Sequence, residues 1–198
     1  MKQKGIKTVT LVLLSTILLC AIIAPAAAYN YDGDAAANYA YNNAKNYVPG
    51  TAVFKDNGDC TNFVSHSLQA GGWTEVGGWY TSSNAWFYNV PYKYGYSHTW
   101  AVADRFFDYL TYGGRASPVS VKYNKHLLQK GDIVQIDYTK DGRWDHSMIV
   151  TDKNGDDPLM SYHSVGEPSQ TGRRNISLTE IMNNNPNACF LGWRISET

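Results

Sequence analysis

Cys60 lies in the run Gly58-Asp59-Cys60-Thr61-Asn62-Phe63, and His146 opens the run His146-Ser147-Met148-Ile149-Val150. A thiol and an imidazole brought together from separate elements can do one kind of chemistry. The sulfur attacks a carbonyl carbon, and the imidazole takes up the thiol proton and later returns it to the leaving group. The first run has the local chemistry of a helix start. A Gly-Asp turn leads in, Asp59 stands at the N-cap position, and Phe63, Val64 and Leu68 turn inward along a helix from Cys60 to Ala70 that Gly71-Gly72 ends. A cysteine in the first turn feels unpaired amides and the positive end of the helix dipole, so its pKa is expected to fall from about 8.5 toward neutrality. The Cys60 backbone amide is the natural first donor to an oxyanion.

The second run reads as a strand, with His146, Met148 and Val150 on one face and Ser147, Ile149 and Thr151 on the other. If the Cys60 helix packs on the first of these faces, His146 reaches its opening turn. A hairpin closed symmetrically about Asn154-Gly155 sets Thr151 against Pro158 and His146 against His163. Directly paired residues share a face, so His163 is expected to orient His146 as the third member of the site. His66, His98 and His126 show no such convergence, and Asp145 reads as a turn carboxylate.

The elements that must position these groups follow from periodicity. A helix is expected from Asp34, as cap, to Val48, stopped by Pro49-Gly50, and another from Ala101 to Tyr112, capped by Thr99 with Val102, Phe106 and Leu110 inward. Between Trp73 and Trp100 the pattern breaks into an aromatic-rich irregular segment, the kind of long loop that often lines a cleft, with Trp86 and Trp100 the candidates for contacting substrate. Beyond Gly114 the period becomes alternating. Strands are expected over Ile133 to Tyr138, His146 to Thr151 and Leu159 to His163, then a short helix opened by the capping box Ser177-Leu178-Thr179-Glu180. A last strand begins at Cys189, with Cys189, Leu191, Trp193 and Ile195 sharing one face as a buried, inert thiol would. Helices first and strands second make an α+β domain.

Residues 1–28 read as an export signal: Lys2, Lys4 and Lys7, an apolar run from Val9 to Ala24, and Ala26-Ala27-Ala28 before cleavage at Tyr29. Leu19 precedes Cys20 where a lipid anchor would need a small residue, so release is expected, with a retained membrane anchor as the alternative. Residues 29–198, about 170, suit one domain and are expected to act as a monomer. Removing three lysines from 17 basic and 17 acidic residues leaves 14 against 17, and no basic cluster larger than Arg173-Arg174 suggests nucleic acid. Export leaves Cys60 and Cys189, whose pairing as one disulfide is the bland alternative to a free nucleophile.

The runs GDCTNFVSHSLQAGGW, Ser97 to Trp100, KGDIVQIDY, DHSMIVT and SYHS together resemble the putative amidase domain, part of the papain-like group that includes the NlpC/P60 and CHAP hydrolases. The resemblance spans about residues 32–195. It implies a papain-like fold with N-terminal helices on an antiparallel sheet, Cys60 as nucleophile, His146 as base and His163 as the third member. It also implies cleavage of peptide or peptidoglycan amides with no metal or other cofactor, while the export signal sets the expected place outside the cell or in its envelope. Asp59, beside the nucleophile, joins Trp86 and Trp100 as a candidate substrate contact. Two rivals stay open. Cys60, His146 and His163 could ligate a catalytic zinc, or the exposed aromatics could serve a non-catalytic wall- or glycan-binding module with Cys60 in a disulfide.

Overall fold

In the computed structural model the described residues are 31–47, 51, 54, 58–89 and 94–196. The expected export segment and the stop at Val48-Pro49-Gly50 lie outside them, and the first helix ends before that stop, at Asn43. Among the described residues no helix is long and apolar enough to cross a membrane.

Helix α1 spans Gly33–Asn43, and its cap is Asp32 rather than Asp34: the Asp32 carboxylate accepts from Ala35 N at 2.8 Å. Helix α2 spans Cys60–Ala70, as its sequence predicts, and the Gly71 amide closes it on Ser67 and Gln69 carbonyls. The expected helix from Ala101 is broken in two. A short α3, His98–Ala101, ends at Val102, whose extended backbone (φ −117°, ψ 123°) re-aims the chain into α4, Ala103–Tyr112. Val102 is consequently exposed, while Phe106 and Leu110 are buried as expected. Thr99 caps nothing; its hydroxyl is buried against Ser97 Oγ at 2.8 Å.

Six strands form one antiparallel sheet: β1 Ala116–Val119, β2 Ile133–Asp137, β3 His146–Asn154, β4 Asp157–Tyr162, β5 Arg173–Ser177 and β6 Cys189–Ile195, in spatial order β1-β6-β2-β3-β4-β5. The short helices α5, Val121–Asn124, and α6, Pro168–Thr171, fill connections, and α7, Leu178–Asn184, opens at Ser177, whose hydroxyl accepts from Glu180 N at 3.0 Å. The observed class is thus α+β, with N-terminal helices on an antiparallel sheet.

Strand alternation gives the sheet two different faces. One packs Ile133, Ile149 and Trp193 under Phe63, Val64 and Leu68 of α2, Phe106 of α4 and the aromatic loop's Trp73, Trp86 and Trp100. The other packs Val134, Ile136, Met148, Val150 and Met160 under Val121, Leu178 and Ile181. The helix carrying Cys60 therefore covers the Ser147 and Ile149 face, opposite to the face of His146 and Met148.

Candidate active site

Gly58, at φ +90°, makes the turn that delivers the chain into α2, a conformation that a residue with a Cβ adopts only under strain. Cys60 is the first residue of that helix and only 8% exposed. Its sulfur lies 3.6 Å from Thr61 Oγ1, and the Ser147 backbone amide is near enough to favour the thiolate, while Thr61 Oγ1 lies 3.1 Å from Ser147 Oγ. Ser147 Oγ in turn accepts from Gln135 Nε2, which also donates to the Ala103 carbonyl. A buried polar chain thus docks the first turn of α2 on the start of β3.

The expectation of an acidic thiol is not met. Burial pushes the Cys60 thiol up, and the neighbouring Asp59 charge pushes the same way; hydrogen bonds from Ser147 and Thr61 oppose them without prevailing. The helix dipole cannot offset so complete a loss of water. Cys60 forms part of the wall of a cleft of about 450 Å³, with Gly58, Phe54, Tyr96, Trp144 and Asp145 around it. Asp145 also closes the β2–β3 turn, accepting from Tyr138 N at 2.8 Å.

His146 is 7% exposed and its Nε2 is buried without a hydrogen-bond partner. Its ring stands edge-on to Tyr162 at 4.9 Å and tilted to Tyr138 at 6.3 Å. Burial alone pulls its pKa down to about 4, so the ring is neutral at pH 7 and available as a proton acceptor. His146 belongs to the sheet face away from α2, but it directly precedes Ser147, whose amide meets the Cys60 sulfur.

The expected pairing of His146 with His163 does not form. The hairpin turns at Gly155-Asp156, so Asn154 meets Asp157 and Lys153, not Thr151, meets Pro158. A bulge between Val150 and Asp152 then shifts the register by one, pairing Val150 with Met160 and Ile149 with Ser161. Carried outward, that register sets Ser147 opposite position 163, and alternation sends the two histidines to opposite faces. The bulge is a one-residue insertion that symmetric counting from Asn154-Gly155 cannot foresee.

His163 instead completes a buried network behind Cys60. Its Nδ1 is 2.7 Å from Asp59 Oδ2 and its Nε2 is 3.0 Å from the Asn43 carbonyl; its ring stacks on Phe63 at 4.2 Å. Asp59 Oδ1 accepts from Asn62 Nδ2 at 2.9 Å and from Phe54 N at 3.3 Å, and Asn62 Oδ1 accepts from Trp100 Nε1 at 2.9 Å. Asp59 is therefore neither a side-chain cap nor a substrate contact: it is 3% exposed and turned inward. Trp86 and Trp100 are fully buried rather than open to a cleft; Trp86 Nε1 donates to Ser65 Oγ at 3.1 Å and Trp100 Nε1 to Asn62 Oδ1, so both indoles back α2. Asn62, unremarked in the sequence, carried one signal: it sits three residues after Asp59, on the same side of the first turn. Ser147 carried another, the parity opposite to His146.

Cys60 and Cys189 are both free, which removes the disulfide alternative, and Cys189, the first residue of β6, is exposed rather than buried. Among the described residues no three His, Cys, Asp or Glu side chains cluster as metal ligands, so Cys60, His146 and His163 form no zinc site.

The sequence profile described as Putative amidase domain matches residues 30–192. Two proteins of Bacillus subtilis (strain 168) are similar to the chain. "Uncharacterized protein YhbB" is 34% identical over 144 residues, 68% of this chain and 42% of that protein. "Uncharacterized protein YjcM" is 30% identical over 142 residues, again 68% of this chain and 31% of that protein. The chain thus spans less than half the length of either relative. No solved structure matches. With the profile covering residues 30–192, well over half of the chain, the chain belongs to the Putative amidase domain family.

Proposed function

We propose that the protein is a secreted or envelope-associated cysteine amidase or peptidase of papain-like type, hydrolysing amide bonds of peptides or peptidoglycan with Cys60 as nucleophile and His146 as base. The observation that carries this reading is the meeting of Cys60, at the first turn of α2 and on the wall of a cleft, with the Ser147 amide one residue from a desolvated, unpartnered imidazole. Family membership supports amide hydrolysis; the export signal in residues 1–28 supports the location.

The resting pair is a neutral thiol and a neutral imidazole, since burial disfavours charge on both. The thiol proton passes to His146 as sulfur attacks the amide carbon, and the oxyanion takes the Cys60 backbone N–H, which no Asp59 cap occupies. His146 then protonates the departing amine, and water, with His146 again as base, releases the acid. Tyr138 and Tyr162 hold the imidazole by ring contact.

The test is digestion of isolated cell wall and of simple peptide amides by the protein, with products identified by mass spectrometry. New amine and carboxylate ends that vanish in Cys60→Ala support the proposal. Intact substrates, or cleavage that survives Cys60→Ala, end it.

A further inference from the structure

We propose, on the reading of Cys60 as nucleophile, that His163 acts on Cys60 through Asp59: it is a positioning residue that neutralises the carboxylate beside the thiol and keeps it turned away from the helix amides. Hydrogen counting supplies the first support. The Asn43 carbonyl can only accept, so His163 Nε2 carries a proton. Trp100 Nε1 can only donate, which fixes the Asn62 amide with its NH₂ toward Asp59. Asp59 therefore meets Asn62 Nδ2 and the Phe54 amide as donors, and donors aimed at a carboxylate favour its charged form. The remaining contact, 2.7 Å to Nδ1, is then an imidazolium–carboxylate bond, with both groups no more than 5% exposed at their side chains.

What surrounds the pair supplies the second support. The small space beside it is lined by Tyr39, Tyr47, Thr51, Asn62, Phe63 and His66. Tyr39 from α1, Tyr47 after α1, and Cys60 and His66 from α2 are the other titratable groups facing it, and none of them is a cation that could balance Asp59 as His163 does. Among the described lining residues there is no Lys or Arg. Tyr39 is pushed up to about 12, by burial first and the Asp59 charge second, so charge on this carboxylate is felt by its neighbours. Cys60 is one residue away.

The experiment follows alkylation of Cys60 by iodoacetamide against pH in the full-length protein, read by mass spectrometry of the Cys60 peptide so that Cys189 does not interfere. In His163→Gln the midpoint is expected to move up by about 1 pH unit or more, because Asp59 is left uncompensated; in Asp59→Asn it moves down. In the double variant Asp59→Asn with His163→Gln, loss of His163 adds no upward shift. A merely structural pair gives shifts of one sign, or none, and either result overturns the proposal. Should a variant fail to fold, ¹⁵N NMR of the wild-type protein at pH 7 decides: both His163 ring nitrogens protonated is the expected result, and a singly protonated ring overturns it. Alkylation needs no substrate, so these shifts stand or fall separately from any failure to hydrolyse amides.

Discussion

His163 and His146 are 4% and 7% exposed, on opposite faces of the same sheet, and they are provided for in opposite ways. Both nitrogens of His163 have oxygen partners, and the ring is stacked. His146 has aromatic edges around it and a buried nitrogen with no partner. Burial is the same; satisfaction is not. A buried imidazole with every hydrogen bond made is a fixed part of the frame, whereas one stripped of water and left unpartnered is kept neutral and ready to accept a proton.

The largest effect that tests this contrast is on turnover. Cys60→Ala and His146→Ala should each reduce amide hydrolysis by about 10³-fold or more, with circular dichroism unchanged, while His126→Ala leaves the rate within about twofold. An active His146→Ala enzyme would move the base elsewhere and dissolve the contrast.

The contrast reverses for stability. Asp59→Ala strands the buried His163 ring and should cost about 3–5 kcal/mol in urea denaturation. His146→Leu removes an unsatisfied buried nitrogen and should cost about 1 kcal/mol or less. Equal losses would mean that the two histidines are not provided for differently.

A smaller effect sharpens the comparison through pH. The His146 pKa falls from 6.5 to about 4 on folding, so the unfolded chain takes a proton that the native state refuses, and stability drops as pH falls from 6.5 to about 4. His66, pushed down by burial, acts in the same direction. Asp132 is pushed up by burial from 3.8 to about 6, so the native state takes its proton first, and stability rises as pH falls from about 6 to 3.8. Each full shift is on the order of 3 kcal/mol, and over this window the two largely offset. Wild-type stability should therefore vary little between pH 6 and 4, whereas Asp132→Asn should lose stability steadily. A flat Asp132→Asn profile would place the His146 pKa nearer its ordinary value.

The smallest effect concerns the thiols. Cys189→Ser should leave turnover unchanged and abolish the fast phase of iodoacetamide labelling, because the exposed thiol reacts before the buried one. Fast labelling that persists at Cys60 would contradict its elevated pKa.

Local signals in this chain were readable and through-space ones were not. The limits of α2, the Ser177 cap and the starts of β2, β3 and β6 follow from caps, glycines and alternation within a few residues. The edge strands β1 and β5 escaped notice because one contains Pro118 and the other bends at Asn175, where φ is +53°. Cys60 and the face of His146 were legible from their own elements. Which face α2 would cover, and the slip in the β3–β4 register, depend on contacts far apart in the chain. Those two facts separate His163 from His146. The indoles of Trp86 and Trp100 were misplaced for a similar reason: composition marks an aromatic loop but not which of its rings fold under it.

The bond from His163 to the Asn43 carbonyl joins residues 120 positions apart, with Asp59, Asn62 and Trp100 strung between them. The surroundings of the Cys60 turn are therefore completed only when the last of these segments arrives. Such a long-range closure comes late in folding, since loop entropy is paid before the contacts that repay it. A partly made chain carries Cys60 as an ordinary open thiol, able to be alkylated or oxidised. On the proposed role of Cys60 as nucleophile, reactivity toward small alkylating agents and catalytic competence are acquired in reverse order: the thiol is most accessible before its surroundings are complete.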